Sequence, residues 1–218
     1  MTNIAVDTDA IHKLIVFGLA AEANRVLLSA SVRFCALNAT KYVLRSKIRK
    51  SPPQKDLGLV MADLEAWFDD VEIIEPDEGE ISLAAEFESI AQKLGVSLDI
   101  GESLLCSILI NRSLSLILTG DKRAIVAGEK VFIEAGSVEY FQDRLICLEQ
   151  VILLILSSGD PEVVRSAICA EPNVDTAISI CFSCTSAEIT PDSWAEGLKS
   201  YITQLEKQAP TVLYPVSF

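Results

Sequence analysis

Two rhythms of apolar residues alternate along the first 150 residues. Short, mostly apolar runs at 3–7, 31–37, 71–74, 113–119 and 144–148 have the length and composition of buried strands. Between them lie longer stretches with apolar residues every three or four positions, the period of a helix with one buried face. After the first strand, Thr8 or Asp9 can cap a helix running to about Gly18, with a continuation over 20–28. Asn38 or Thr40 can cap a basic helix reaching Lys50, which Ser51-Pro52-Pro53 stops because proline lacks the N–H and restricts the residue before it. A helix over about 54–68 follows, with Leu57, Val60, Met61, Leu64 and Trp67 or Phe68 on one face. Residues 80–94 read as an amphipathic helix, 99–112 as a helix buried over much of its circumference, 122–128 as the start of another, and 149–157 as one more. Residues 129–141 fit helix or strand equally. The alternation implies an α/β fold, a mostly parallel sheet covered by helices on both faces. Beyond 158 the strand pattern disappears, and Asp160-Pro161 and Thr190-Pro191 each set a cap before a proline at the first helical position. A domain over 1–157 with a C-terminal helical extension over 158–218 is expected.

Composition narrows this picture. The 218 residues suit one domain with an appendage, and half of them are apolar, which favours a sizeable core over disorder. The net charge of −13 is unevenly spread: residues 1–50 hold eight Lys/Arg against three Asp/Glu, and residues 51–218 hold ten against twenty-eight. Such a chain is no general polyanion binder. Lys41, Arg45, Lys47, Arg49 and Lys50 form one basic patch, a solvated helix face in the simpler reading and a contact for a nucleic-acid backbone in the sharper one. The segment 69–80 carries seven acids in twelve positions with Pro76 and Gly79, and reads as a turn whose charge serves solubility. Six cysteines lie mostly in apolar runs without the spacing of a secreted disulfide scaffold. Cys181-x-x-Cys184, with Cys169 nearby, lacks the second pair that a structural zinc needs, so buried reduced thiols in a helix over 174–184 are expected. Neither a signal peptide nor a membrane span is expected, because Asp7 and Asp9 interrupt the first apolar run and Asn111, Arg112 or Glu149 the later ones. The expectation is a reduced, soluble, cytoplasmic protein.

Three junctions share one grammar of apolar run, acid and helix: Val6-Asp7-Thr8-Asp9, Leu98-Asp99-Ile100-Gly101-Glu102 and Leu118-Thr119-Gly120-Asp121-Lys122-Arg123. Singly, each acid has a plain role. Asp9 and Asp121 can cap helices, and Asp99 with Glu102 has capping-box spacing. Asp7 comes straight off the strand and is not an obvious cap. Carboxylates meeting at the carboxyl rim of a parallel sheet would raise one another's pKa unless a cation neutralised them. Mg²⁺ or Mn²⁺ is the natural remedy, and either can activate water for attack at phosphorus. His12, the lone histidine, is expected on a helix surface or beside an acid.

These three motifs, in this order and at these separations, resemble the PIN domain over roughly residues 3–150, the late strand Arg144-Leu145-Ile146-Cys147-Leu148 included. The resemblance implies a metal-dependent ribonuclease fold in which Asp7, Glu102 and Asp121 hold Mg²⁺ or Mn²⁺, with Asp9 and Asp99 as neighbouring ligands and Thr119 orienting a ligand or water. Lys122, Arg123 and the basic helix, with Lys41 and Arg45, would engage the RNA backbone. If the chain is of the toxin type, the resemblance further implies an antitoxin or another protein partner, and it leaves a homodimer open. One departure counts. PIN nucleases usually carry another acid early in the helix after the second strand, and here Asn38-Ala39-Thr40-Lys41-Tyr42-Val43-Leu44-Arg45 has none, with Asn38 as a neutral substitute. A weak ribonuclease and a catalytically degenerate PIN module that binds a protein or RNA therefore both stay open. Asp7-Thr8-Asp9 also imitates the Asp-x-Asp of haloacid-dehalogenase-type phosphatases. Ile11 stands where that family has Thr or Val, and its later lysine and paired acids are missing.

Overall fold

In the computed structural model, which describes residues 2–27, 32–185 and 190–216, five strands form one sheet in which every pairing is parallel. They are β1 (Thr2–Val6), β2 (Val32–Leu37), β3 (Glu72–Ile74), β4 (Leu116–Thr119) and β5 (Leu145–Cys147), and the order across the sheet is β3-β2-β1-β4-β5. Their apolar runs follow from burial on both faces: Ile4, Ala5, Val6, Phe34, Cys35, Ala36, Ile117, Leu118, Leu145 and Ile146 are all core residues. β1 lies between β2 and β4, so the chain leaves it toward one side and later returns on the other. That reversal makes the carboxyl ends of β1 and β4 a switch point, where α/β sheets leave a crevice.

Helices α1 (Thr8–Phe17) and α2 (Ala20–Leu27) follow β1 and are separated by Gly18, whose φ of 75° ends α1 in the left-handed cap that glycine adopts without strain. Ser31 and Leu28, expected in the second strand and in the continuation of the first helix, lie outside the described residues. After β2 come α3 (Asn38–Lys50) and α4 (Leu57–Asp69); after β3 come α5 (Glu78–Leu94) and α6 (Ile100–Arg112), which pack against each other. The strand expected over 113–119 is shorter, because Ser113 takes a left-handed conformation (φ 52°) and caps α6. α7 (Lys122–Glu134) and a 3₁₀ turn at Val138–Phe141 resolve the ambiguous region as helix. Stacked Phe132 and Phe141, edge-on to Phe87, pin that region to α5.

The remaining helices are α8 (Leu148–Ser158), α9 (Pro161–Cys169), α10 (Thr176–Cys181) and α11 (Pro191–Gln208). α11 packs on α8, and Trp194, Leu198, Ile202 and Leu205 join the same buried cluster as the sheet. The segment after α11 returns to the sheet edge, where Leu213 bridges Leu145 and the buried Glu129 accepts the backbone N–H groups of Thr211 (3.1 Å) and Val212 (3.0 Å). The edge of β5 is thereby covered. Among the described residues no helix is long and apolar enough to cross a membrane.

Two expectations are corrected here. Cys169 and Cys184 form a disulfide (Cα–Cα 5.0 Å) in place of reduced thiols, and the helix expected over 174–184 is only α10, so Cys184 falls in the turn beyond it. The acidic segment 69–80 is not all solvated: Glu80 is fully buried, capping α5 reciprocally with Asp77 and receiving two hydrogen bonds from Arg112 (2.7 Å each).

Candidate functional site

Each acid of the three junctions occupies the first turn of a helix. Asp7 is the N-cap of α1: its backbone is extended, its carbonyl accepts the Ile11 N–H (3.1 Å), and its Oδ2 accepts the Asp9 N–H (3.2 Å). The expectation that Thr8 or Asp9 does this is corrected, and Asp7 is a cap after all. Asp99 caps α6 in a reciprocal box with Glu102, each carboxylate accepting the other's N–H at 2.9 Å. Asp121 caps α7 by accepting the Arg123 N–H (2.8 Å).

Capping does not keep these groups apart. Asp7 N–H donates to the Leu118 carbonyl (2.9 Å), locking the β1 and β4 junctions side by side, and the Thr119 hydroxyl donates to Asp7 Oδ2 at 3.5 Å. Gly120 is required by this closeness: a Cβ there would stand 2.7 Å from Asp9 Oδ2 and 3.0 Å from the Ala10 nitrogen. Asp7, Glu102 and Thr119 line one small cavity of about 20 Å³, closed by Leu98, Leu105 and Cys106 among others, room for about one water.

The electrostatics follow from burial and crowding. Burial pushes the Asp7 carboxyl up to about 6, helped by the charges of Asp9 and Asp99. Burial also pushes Glu102 up to about 8, and Asp99, Asp7 and Asp121 all add to the rise. Asp7 and Glu102 thus face one cavity, while Asp121 is not among its lining residues and acts on Glu102 through its charge.

The other acids carry counter-charges. Burial alone would raise Asp9, but Lys13 (2.6 Å) and Lys47 (3.0 Å) hold it below its ordinary value. Burial likewise opposes the Arg123 guanidinium at Asp121, and the two bonds at 3.1 and 2.7 Å win, holding that carboxyl low. Asn38 donates to Glu75 (2.8 Å), which follows β3. Among the described residues, no three His, Cys, Asp or Glu side chains stand as a ready-made metal cage.

The cations expected to meet RNA are paired within the chain. Lys41 and Arg45 both bind Glu65, at 2.9 Å and at 2.7 and 2.6 Å, and Lys41 also lies over the Phe68 ring. Lys122 pairs with the buried Glu149 beneath the Tyr201 ring, and Arg123 with Asp121. His12 is buried, not on a helix surface; burial and then Lys47 push it down to about 4, so it is neutral at pH 7. Sequence reasoning missed Lys13, which ties Asp9, the Gly120 carbonyl (3.0 Å) and Asp175 (2.8 Å) together. Its one signal was the spacing of Asp9 and Lys13, which puts them on one helix face.

The chain is thus an α/β protein with two raised carboxyls, Asp7 and Glu102, on one cavity beside the switch point of a parallel sheet. None of the family models, characterised proteins or solved structures compared with it matches.

Proposed function

We propose that the chain is a PIN-like ribonuclease dependent on Mg²⁺ or Mn²⁺, acting on RNA in the cytoplasm. One observation carries this reading: Asp7 and Glu102, delivered by separate elements, line one cavity with Thr119 and are both raised by burial and by other carboxylates. Two carboxyls that resist ionising side by side suit a hard dication, which would stabilise their charged forms. The donor set fits in kind, being carboxylate oxygens with a hydroxyl beside them. Asp7, Glu102 and Asp121 would hold the ion, with Asp9 and Asp99 adjacent. When bound, it would supply a water of lowered pKa and charge neutralisation at phosphorus. Thr119 orients Asp7 through its hydroxyl, and the capping bonds fix the rotamers of Asp7 and Glu102 before any ligand arrives. Asp121 joins only by exchanging Arg123, which is then released at the rim to meet a phosphate.

RNA cleavage with added Mg²⁺ or Mn²⁺ tests this. Asp7→Asn should lower the rate at least ~100-fold, since a metal ligand is worth several kcal/mol of transition-state stabilisation. Asn retains the cap, so the fold should persist in circular dichroism. Asp121→Asn should do the same, and unchanged cleavage in both variants would remove the proposal. A degenerate PIN module that binds RNA or a protein such as an antitoxin is favoured by a different observation, the pairing of Asp9 and Asp121 with cations of the chain itself.

A further inference from the structure

The Cys169–Cys184 bond closes a loop over 170–183, and that loop carries two acids that reach back to the sheet domain. Glu171, buried, accepts the backbone N–H groups of Gln54 (2.9 Å) and Lys55 (2.6 Å) ahead of α4. Asp175, also buried, caps α10 and binds Lys13 at 2.8 Å, the lysine that holds Asp9 and the Gly120 carbonyl at the acidic rim. The loop also buries Ile178, Cys181 and Phe182 against α11, with Phe182 beside Trp194, and is tied by hydrogen bonds from Arg165 to the carbonyls of Phe182 (3.2 Å) and Ser183 (3.3 Å) and from Ser179 to that of Pro172 (2.7 Å). Cys169 and Cys184 are half-buried, whereas Cys35, Cys106, Cys147 and Cys181 are buried.

We propose that Cys169–Cys184 is a thiol-exchange site whose oxidation state sets how firmly Asp175 holds Lys13 beside the rim. The reductant is a dithiol. One of its thiolates attacks a sulfur of the pair and releases the other cysteine as a thiolate, which takes up a proton. Its second thiol then displaces the mixed disulfide, so two electrons and two protons pass to the protein and the reagent leaves as a cyclic disulfide. Opening the bond frees the ends of loop 170–183, and the segments carrying Glu171 and Asp175 are then held by the buried side chains of Ile178, Cys181 and Phe182 and by their own hydrogen bonds and charge, without the covalent closure. Lys13 falls back on Asp9, and the first turn of α1 loses its link to the tail.

The test is amide exchange on the full chain, oxidised and after dithiothreitol, with alkylation and peptide mapping to locate the thiols. The oxidised protein should show a Cys169–Cys184 linked peptide. Reduction should speed exchange at least tenfold in 170–183 and severalfold around 52–56 and in the first turn of α1. Asp175→Asn, which keeps the cap but loses the charge, should reproduce the α1 effect in the oxidised protein without freeing the loop. The Cys169→Ser and Cys184→Ser variants should match the reduced protein under both conditions. Alkylation of both cysteines in the denatured, air-oxidised chain would overturn the proposal. Identical exchange in α1 before and after reduction would overturn it too.

Discussion

α5 and α6 begin with nearly the same tetrapeptide, Asp77-Glu78-Gly79-Glu80 and Asp99-Ile100-Gly101-Glu102, and both fold into the same reciprocal capping box. Their glutamates then meet opposite surroundings. Glu80 is sealed in the core and receives the Arg112 guanidinium, in from the far end of α6, through two hydrogen bonds. At Glu102, burial first, and then the charges of Asp99, Asp7 and Asp121, push the carboxyl up to about 8. The local device is shared; whether distant elements bring a cation to the glutamate decides whether it is a charged clasp or a carboxyl held against ionisation. A stable fold tolerates one arrangement of the second kind most readily where a ligand relieves it.

The largest effect should come from unpairing the clasp. Arg112→Met leaves Glu80 buried without its partner and should cost ~2–3 kcal/mol, below the range for a wholly buried pair because the Arg112 side chain is 36% exposed. In thermal melts that is a fall of roughly 4–12 °C. No fall would mean that the two boxes do not differ as described.

Glu102→Gln should act in the other direction, and only at high pH. The folded carboxyl sits at about 8 against an ordinary 4.5. Its contribution to stability is therefore fully present below 4.5 and lost as pH rises through 8. Asp7, raised from 3.8 to about 6, has the same sign over a lower window. Without divalent ions, the wild-type melting temperature should drop relative to Glu102→Gln between pH 5 and pH 9 and should match it near pH 5. Parallel curves would contradict the crowding of Glu102.

Much of the frame was readable from the chain: apolar runs ending in an acid or a cap marked β1, β4 and the helices after them, and the Pro-led caps marked α9 and α11. Helix α7 was obscured because Glu129 breaks its apolar face, and that glutamate's partners are backbone N–H groups at 211 and 212. Strand order and the Glu80–Arg112 clasp depend on contacts across dozens of residues, which local pattern does not encode. The disulfide was hidden for a similar reason: Cys181-x-x-Cys184 read as reduced thiols on one helix, whereas the tail folds Cys184 onto Cys169, closing a loop worth ~3 kcal/mol in the chain-entropy account. At the rim, the three junctions were readable from their repeated context, and the structure puts Asp7 and Glu102, but not Asp121, on one cavity. Of the cations that occupy Asp9 and Asp121, Lys13 and Arg123 are local in sequence, whereas Lys47 reaches Asp9 from another helix and was not readable.

The smallest effect concerns Arg123, an exposed partner of Asp121. Arg123→Ala should leave the melting temperature unchanged within error and tighten Mn²⁺ binding roughly two- to fivefold, because an exposed pair is a weak competitor. Weaker binding in calorimetry would show that Arg123 supports the acid rather than blocks it.

Titration of the full chain with Mn²⁺ at pH 7, followed by electron paramagnetic resonance, puts the acidic rim to the most direct test. One saturable site is expected in the wild type, weakened at least about tenfold in Asp7→Asn and in Glu102→Gln, as loss of a carboxylate ligand requires. Absence of saturable binding, or equal affinity in all three proteins, would contradict the account.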